Sequence, residues 1–163
     1  MLSPSTLLRL ETQPAVIPLL LRGATPEAIM ARPASGQWSA HENLAHVARH
    51  QMVFLERLRR LLGENAPQLG RYRAEEDAAW PAWSCLSTEE VLRRHQAGRG
   101  EFIRLGKGLS PTDASRVGIH PLLGDMSLAL WVEFFLLHEA HHLYVVMTRL
   151  GQGKRHLGLL PTP

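Results

Sequence analysis

The chain of 163 residues contains one cysteine, Cys85, so it can form no internal disulfide. A reducing cytosol is the setting that fits, and the lone thiol is expected to be an ordinary half-buried side chain rather than a nucleophile. Lysine is nearly as scarce, with only Lys107 and Lys154 among the 18 basic residues. The isoelectric point near 9.6 therefore reflects arginine, although the net charge is only +3. Arg57, Arg59 and Arg60 cluster, as do Arg93 and Arg94, but acids such as Glu56, Glu89 and Glu90 share their helices. No stripe of one sign results, so solvated helix faces are expected and a nucleic-acid partner is not. Long apolar runs are missing as well. Pro14 and Pro18 interrupt the only candidate, and neither a signal peptide nor a membrane span is expected. Strand-like alternation is absent too, which points to an all-α chain.

What is present is helical periodicity over one domain, residues 1–163, with 45% hydrophobic residues to fill its core. A first helix is predicted over residues 5–22, kinked at Pro14, and a short turn follows with Thr25 as N-cap and Pro26 at the first helical position. Ser39 and Glu42 form a capping box behind Trp38, opening a second helix that runs to about residue 62 and stops at Gly63. Residues 64–86 carry Pro67, Gly70 and the Trp80–Pro81–Ala82–Trp83 cluster and read as a loop with one short turn. Ser87 with Glu90 is a second capping box, for a third helix ending near Gly106. After an irregular stretch over residues 107–125, a fourth helix is predicted from about Ser127 to Leu150, stopped by Gly151. It is apolar almost all round, as expected of the most buried member of a four-helix bundle.

Within that apolar helix stand His138 and His142, four residues apart and so on one face. Burying two imidazoles is costly unless each finds a partner, and two such rings can hold one divalent metal. A third ligand from a facing helix would leave one coordination position open for chemistry. His46 and His50, one turn apart on the second helix, compete for that place on spacing alone. The bland alternative is a set of hydrogen-bonded core histidines bridging helices. Nine histidines make spaced pairs common by chance, and His41, His95, His120, His141 and His156 have weaker claims. The run from His138 to His142 also matches H-E-x-x-H, but the extended protease pattern fails at Val145 and Thr148, and no acid follows His142.

Two stretches resemble the DinB/YfiT-like superfamily, which includes bacillithiol and mycothiol S-transferases. One is Gln37–Trp38–Ser39–Ala40–His41–Glu42–Asn43–Leu44–Ala45–His46. The other is His138–Glu139–Ala140–His141–His142, preceded by His120–Pro121–Leu122–Leu123–Gly124. The resemblance implies a four-helix bundle, often a homodimer, in which His46, His138 and His142 bind zinc, nickel or a similar divalent ion. It favours His46 over His50. It further implies a metal-dependent transferase using a low-molecular-weight thiol on a small electrophile, with a small-molecule hydrolase as the alternative. A non-catalytic stress-response bundle with structural histidines is the third possibility. Glu42, one turn before His46, is the candidate base, beside its role as capping partner. Many members carry Gln three residues after the last ligand, where this chain has Val145.

Overall fold

The computed structural model describes residues 1–156, with side chains described through Gly151. Pro14 has the expected effect: α1 (Pro4–Thr12) gives way to a turn of 3-10 helix at Gln13–Ala15, and α2 (Val16–Leu21) resumes after it. Thr25 caps the short α3 (Pro26–Met30) by accepting from the Ala28 amide at 3.2 Å. The long α4 (Ala40–Gly63) then begins at a complete capping box, the Ser39 hydroxyl accepting from Glu42 N and the Glu42 carboxylate from Ser39 N. Gly63 ends that helix without entering the left-handed region, which among the described residues is held by Gly23, Gly36, Ala66 and Gly124.

After α5 (Trp80–Ser84), Ser87 caps α6 (Thr88–Gly108), but only half of the expected box forms. The Glu90 carboxylate turns instead to Arg93 and Arg94 at 2.7 and 2.7 Å. Two guanidinium groups outcompete one amide for it, because charge-assisted hydrogen bonds are the stronger ones. The stretch read as irregular contains α7 (Pro111–Ser115) and a hairpin, β1 (Val117–His120) with β2 (Gly124–Ser127), antiparallel with His120 opposite Gly124. Each strand has only four residues, too few for alternation to register. Tertiary contacts make it: Ile119 exchanges backbone bonds with Pro67 and Leu69 at 2.9 Å, and Gly118 lies where a Cβ would meet Leu61 at 2.5 Å. The chain closes with α8 (Leu128–His156), which continues past the predicted stop at Gly151.

The bundle consists of the kinked α1–α2 arm, α4, α6 and α8, with α4 packed against both α6 and α8. One half of its core is aromatic, with Phe54, Phe102, Trp131 and Phe135 each fully buried. The other half is built from small residues, Ala40, Ala45 and Ala48 of α4 facing Leu143 and Val146 of α8. Small side chains there let the two backbones approach, which places polar groups of the two helices within reach of each other. Three expectations are corrected. Cys85 is exposed. Arg57 is buried, its guanidinium 5.6 Å from the Trp131 ring centre and donating to the Gly70 carbonyl at 2.5 Å, so it is not part of a solvated face. And α8 is not buried all round: Leu130, Leu137, Tyr144 and Met147 are exposed. Among the described residues no helix is long and apolar enough to cross a membrane.

Candidate metal centre

Where α4 and α8 approach, His46, His138 and His142 come together, and one nitrogen of each lies within 4.8 Å of the other two. The Nε2 atoms of His46 and His138 are 3.2 Å apart. Two nitrogens bound to one zinc at 2.0–2.1 Å and near-tetrahedral angles would be about 3.3 Å apart, so this pair already has ligand spacing. The chemistry of the donors agrees. Burial, reinforced by neighbouring imidazoles, pushes His46, His138 and His142 each down to about 3, so all three are neutral at pH 7 with lone pairs to offer. The Nδ1 atoms of His46 and His138 are buried without a hydrogen-bond partner. His50, outside the convergent set, has the same unpartnered Nδ1.

His142 is different, and the reason is Asn43. The Asn43 side-chain N–H donates to the Ser39 carbonyl at 2.8 Å, which fixes the amide's orientation. Its Oδ1 must then accept, and it does so from His142 Nδ1 at 2.8 Å. The proton is thereby held on Nδ1, and the Nε2 lone pair is left facing the cluster, the arrangement by which outer groups orient metal-binding imidazoles. Asn43 lies inside the motif quoted above, yet its role shows only in three dimensions.

Aromatic rings wall the site. The capping box fixes the chain entering α4 and so sets Trp38, whose ring lies 4.9 Å from that of His46 and 5.1 Å from that of Trp80. Tyr72 covers His46 and His50 at 5.6 and 5.2 Å, held by donating to Asp77, which also pairs with Arg49. The segment over residues 64–86 thus supplies two walls, Tyr72 and Trp80.

The remaining candidates separate cleanly. His50 is buried with its ring 4.0 Å from His138, but it is not one of the three convergent donors. His41 joins helices, donating to the Ser84 carbonyl and accepting from Thr88. His120 turns the hairpin, its Nδ1 accepting from the amides of Leu122 and Leu123 at 3.1 Å. His141 is exposed, and the side chain of His156 lies outside the described residues. Glu42 has both oxygens engaged, by Ser39 N and by Arg32, whose Nε lies 2.9 Å away, and among the described residues it forms no hydrogen bond to the imidazoles. Glu139 departs from the cluster altogether. Its carboxylate accepts from Arg99, from His95 at 3.0 Å and from Gln13 at 2.6 Å. In a protease-type H-E-x-x-H helix the glutamate would act as base beside the metal.

The fold and this cluster define a four-helix bundle with three convergent histidines, His46 buried and His138 and His142 half-buried, able to take a divalent ion. A model of the DinB superfamily matches residues 9–146, and the chain belongs to that superfamily. Among its relatives is a protein of Oceanobacillus iheyensis provisionally named metal-dependent hydrolase OB0413. It is 24% identical over 118 residues, which cover 72% of this chain and 68% of the relative. YuaE of Bacillus subtilis is 23% identical over 135 residues, covering 76% and 83%. The solved structure of YfiT from Bacillus subtilis, described as a probable metal-dependent hydrolase of unusual four-helix bundle topology, superimposes with a TM-score of 0.77. At 20% identity the match covers 97% of this chain and 91% of that one, and it shows the shared fold.

Proposed function

We propose that this chain is a metal-dependent enzyme for a small molecule, with His46, His138 and His142 holding one divalent ion, zinc or nickel. The observation that carries this reading is the convergence of three neutral imidazole nitrogens from one buried and two half-buried histidines, two of the nitrogens at ligand spacing. When bound, the cation supplies the positive charge that favours an anionic nucleophile at neutral pH. The protein's own part is to keep the imidazoles deprotonated by burial, to hold the His142 tautomer through Asn43, and to exclude water with Trp38, Tyr72 and Trp80.

Transfer from a low-molecular-weight thiol is the finer reading we favour. In it the thiolate sulfur attacks an electrophilic carbon, a C–S bond forms, the leaving group departs with its electron pair, and the thiol proton goes to solvent. Support comes from the carboxylates. Glu42, Asp77 and Glu139 are all tied to arginines, so none of these three is free to serve as a general base, and thiolate attack needs none. Hydrolysis is the second reading, favoured by the names given to OB0413 and YfiT.

Elemental analysis of the wild type beside His46→Ala and His138→Ala variants tests the centre. One equivalent of metal in the wild type alone is expected; no uptake even in excess zinc and nickel would remove the proposal. Assays pairing a thiol with an alkylating electrophile, against ester and amide substrates, then separate the two chemistries.

A further inference from the structure

Beside the histidine cluster runs a groove of about 460 Å³ between the start of α4 and the later turns of α8, lined by Gln37, Trp38, Asn43, Glu75, Val145 and Arg149. It shares two walls with the cluster. Trp38 lies 6.2 Å from the His142 ring, and Asn43 is the residue that holds His142. A molecule in the groove is therefore one side chain away from the convergent nitrogens.

Arg149 closes the far end. It follows His142 by seven residues, two turns on nearly the same face, which separates the two Cα atoms by about 10 Å along the axis. Long helical side chains lean toward the N-terminus, so the guanidinium reaches back toward His142. Among the described residues its one side-chain hydrogen bond goes to the neutral side-chain oxygen of Gln37, and its Nε is buried without a partner there. Elsewhere Arg9, Arg32, Arg49, Arg60 and Arg99 pair with carboxylates. Arg149 makes no ion pair among the described residues, and a partly buried guanidinium without an anion is a site prepared for one. The floor beside it is Val145, a short apolar side chain. Glu75 lies on the groove's rim and is exposed. Its charge disfavours a dianion, so a single carboxylate fits better than a phosphate.

We propose that Arg149 selects the substrate by binding a carboxylate in this groove, so that the site takes small carboxylate-bearing molecules whose reacting end lies within about 10 Å of the acid group. The inference rests on the three-histidine reading for the reacting end only. Isothermal titration with 6-mercaptohexanoate and its neutral amide, 6-mercaptohexanamide, tests it on wild-type, Arg149→Met and Arg149→Lys proteins, each with and without one equivalent of zinc. The acid is expected to bind wild type at least tenfold more tightly than the amide, with or without zinc. Arg149→Met should abolish the preference by weakening the acid alone, and Arg149→Lys should keep part of it. Equal affinities in wild type, or a preference that survives Arg149→Met, would overturn the assignment. Displacement of the acid by an equal concentration of inorganic phosphate would overturn the choice of carboxylate. Zinc should strengthen both thiols alike; if it strengthens neither, the metal–thiol reading fails while the role of Arg149 stands.

Discussion

His138 and Glu139 are neighbours on α8, yet they belong to buried polar clusters of opposite character. The Glu139 cluster is closed. Arg99 meets its charge, His95 and Gln13 complete its carboxylate, and Arg99 spends its other donors on Gln51 at 2.7 Å and the Leu10 carbonyl at 3.2 Å. It fastens the N-terminal arm, α4 and α6 to α8. The His138 cluster is open, with the Nδ1 atoms of His46 and His138 unpartnered and one nitrogen of each of three imidazoles within 4.8 Å of the other two, with no carboxylate among them. A buried polar group that is fully satisfied reads as architecture, whereas one that is held unsatisfied in a set geometry reads as a binding site.

The largest expected effect breaks the closed cluster. Glu139→Ala leaves Arg99 buried without its anion and should cost about 3–5 kcal/mol, read from the shift in urea midpoint. His138→Ala should cost the metal-free protein far less, because it removes a ring whose Nδ1 already lacks a partner. Equal losses in the two variants would erase the distinction drawn here.

Removing Asn43 sharpens the open cluster. Asn43→Ala frees the His142 tautomer and should weaken zinc binding by about 10- to 100-fold with the bundle still folded, measured by competition with a chelator. Unchanged affinity would show that His142 needs no such partner.

Acid separates the clusters by pH. The three imidazoles titrate at about 3 when folded but at 6.5 when unfolded, so between these values the unfolded chain binds more protons. Their depressed values mean that stability of the metal-free protein is intact above pH 6.5 and declines as pH falls toward 3. Glu139 is held below its ordinary 4.5: burial alone would raise it, but His95 and Arg99 outweigh that. Its contribution is therefore lost only below that value. Melting temperatures between pH 7 and 5 should fall in the wild type and fall less steeply in His138→Ala.

The smallest effect compares two caps. Ser87→Ala should cost about 1 kcal/mol and leave metal affinity alone. Ser39→Ala should cost a similar amount but also weaken the metal, since the box it breaks positions Trp38 and lies beside Asn43. Equal metal affinity in the two variants would show that the entry to α4 does not shape the site.

The chain by itself determined its helices, their starts and the list of candidate ligands, because a capping box or a four-residue repeat is written within a turn or two. The kink at Pro14 and the box at Ser39 needed nothing else. The resemblance, not the spacing, selected His46 over His50. Only the tertiary structure decided that Glu90 abandons its cap for two arginines, that residues 117–127 form a hairpin, and that Arg57 is buried while Cys85 is not. The same holds for the tautomer of His142, set by Asn43 from 99 residues away, and for the Arg149 side chain, whose partner Gln37 lies 112 residues back. Burial, charge compensation and the convergence of donors depend on what other helices bring, and no local pattern records it.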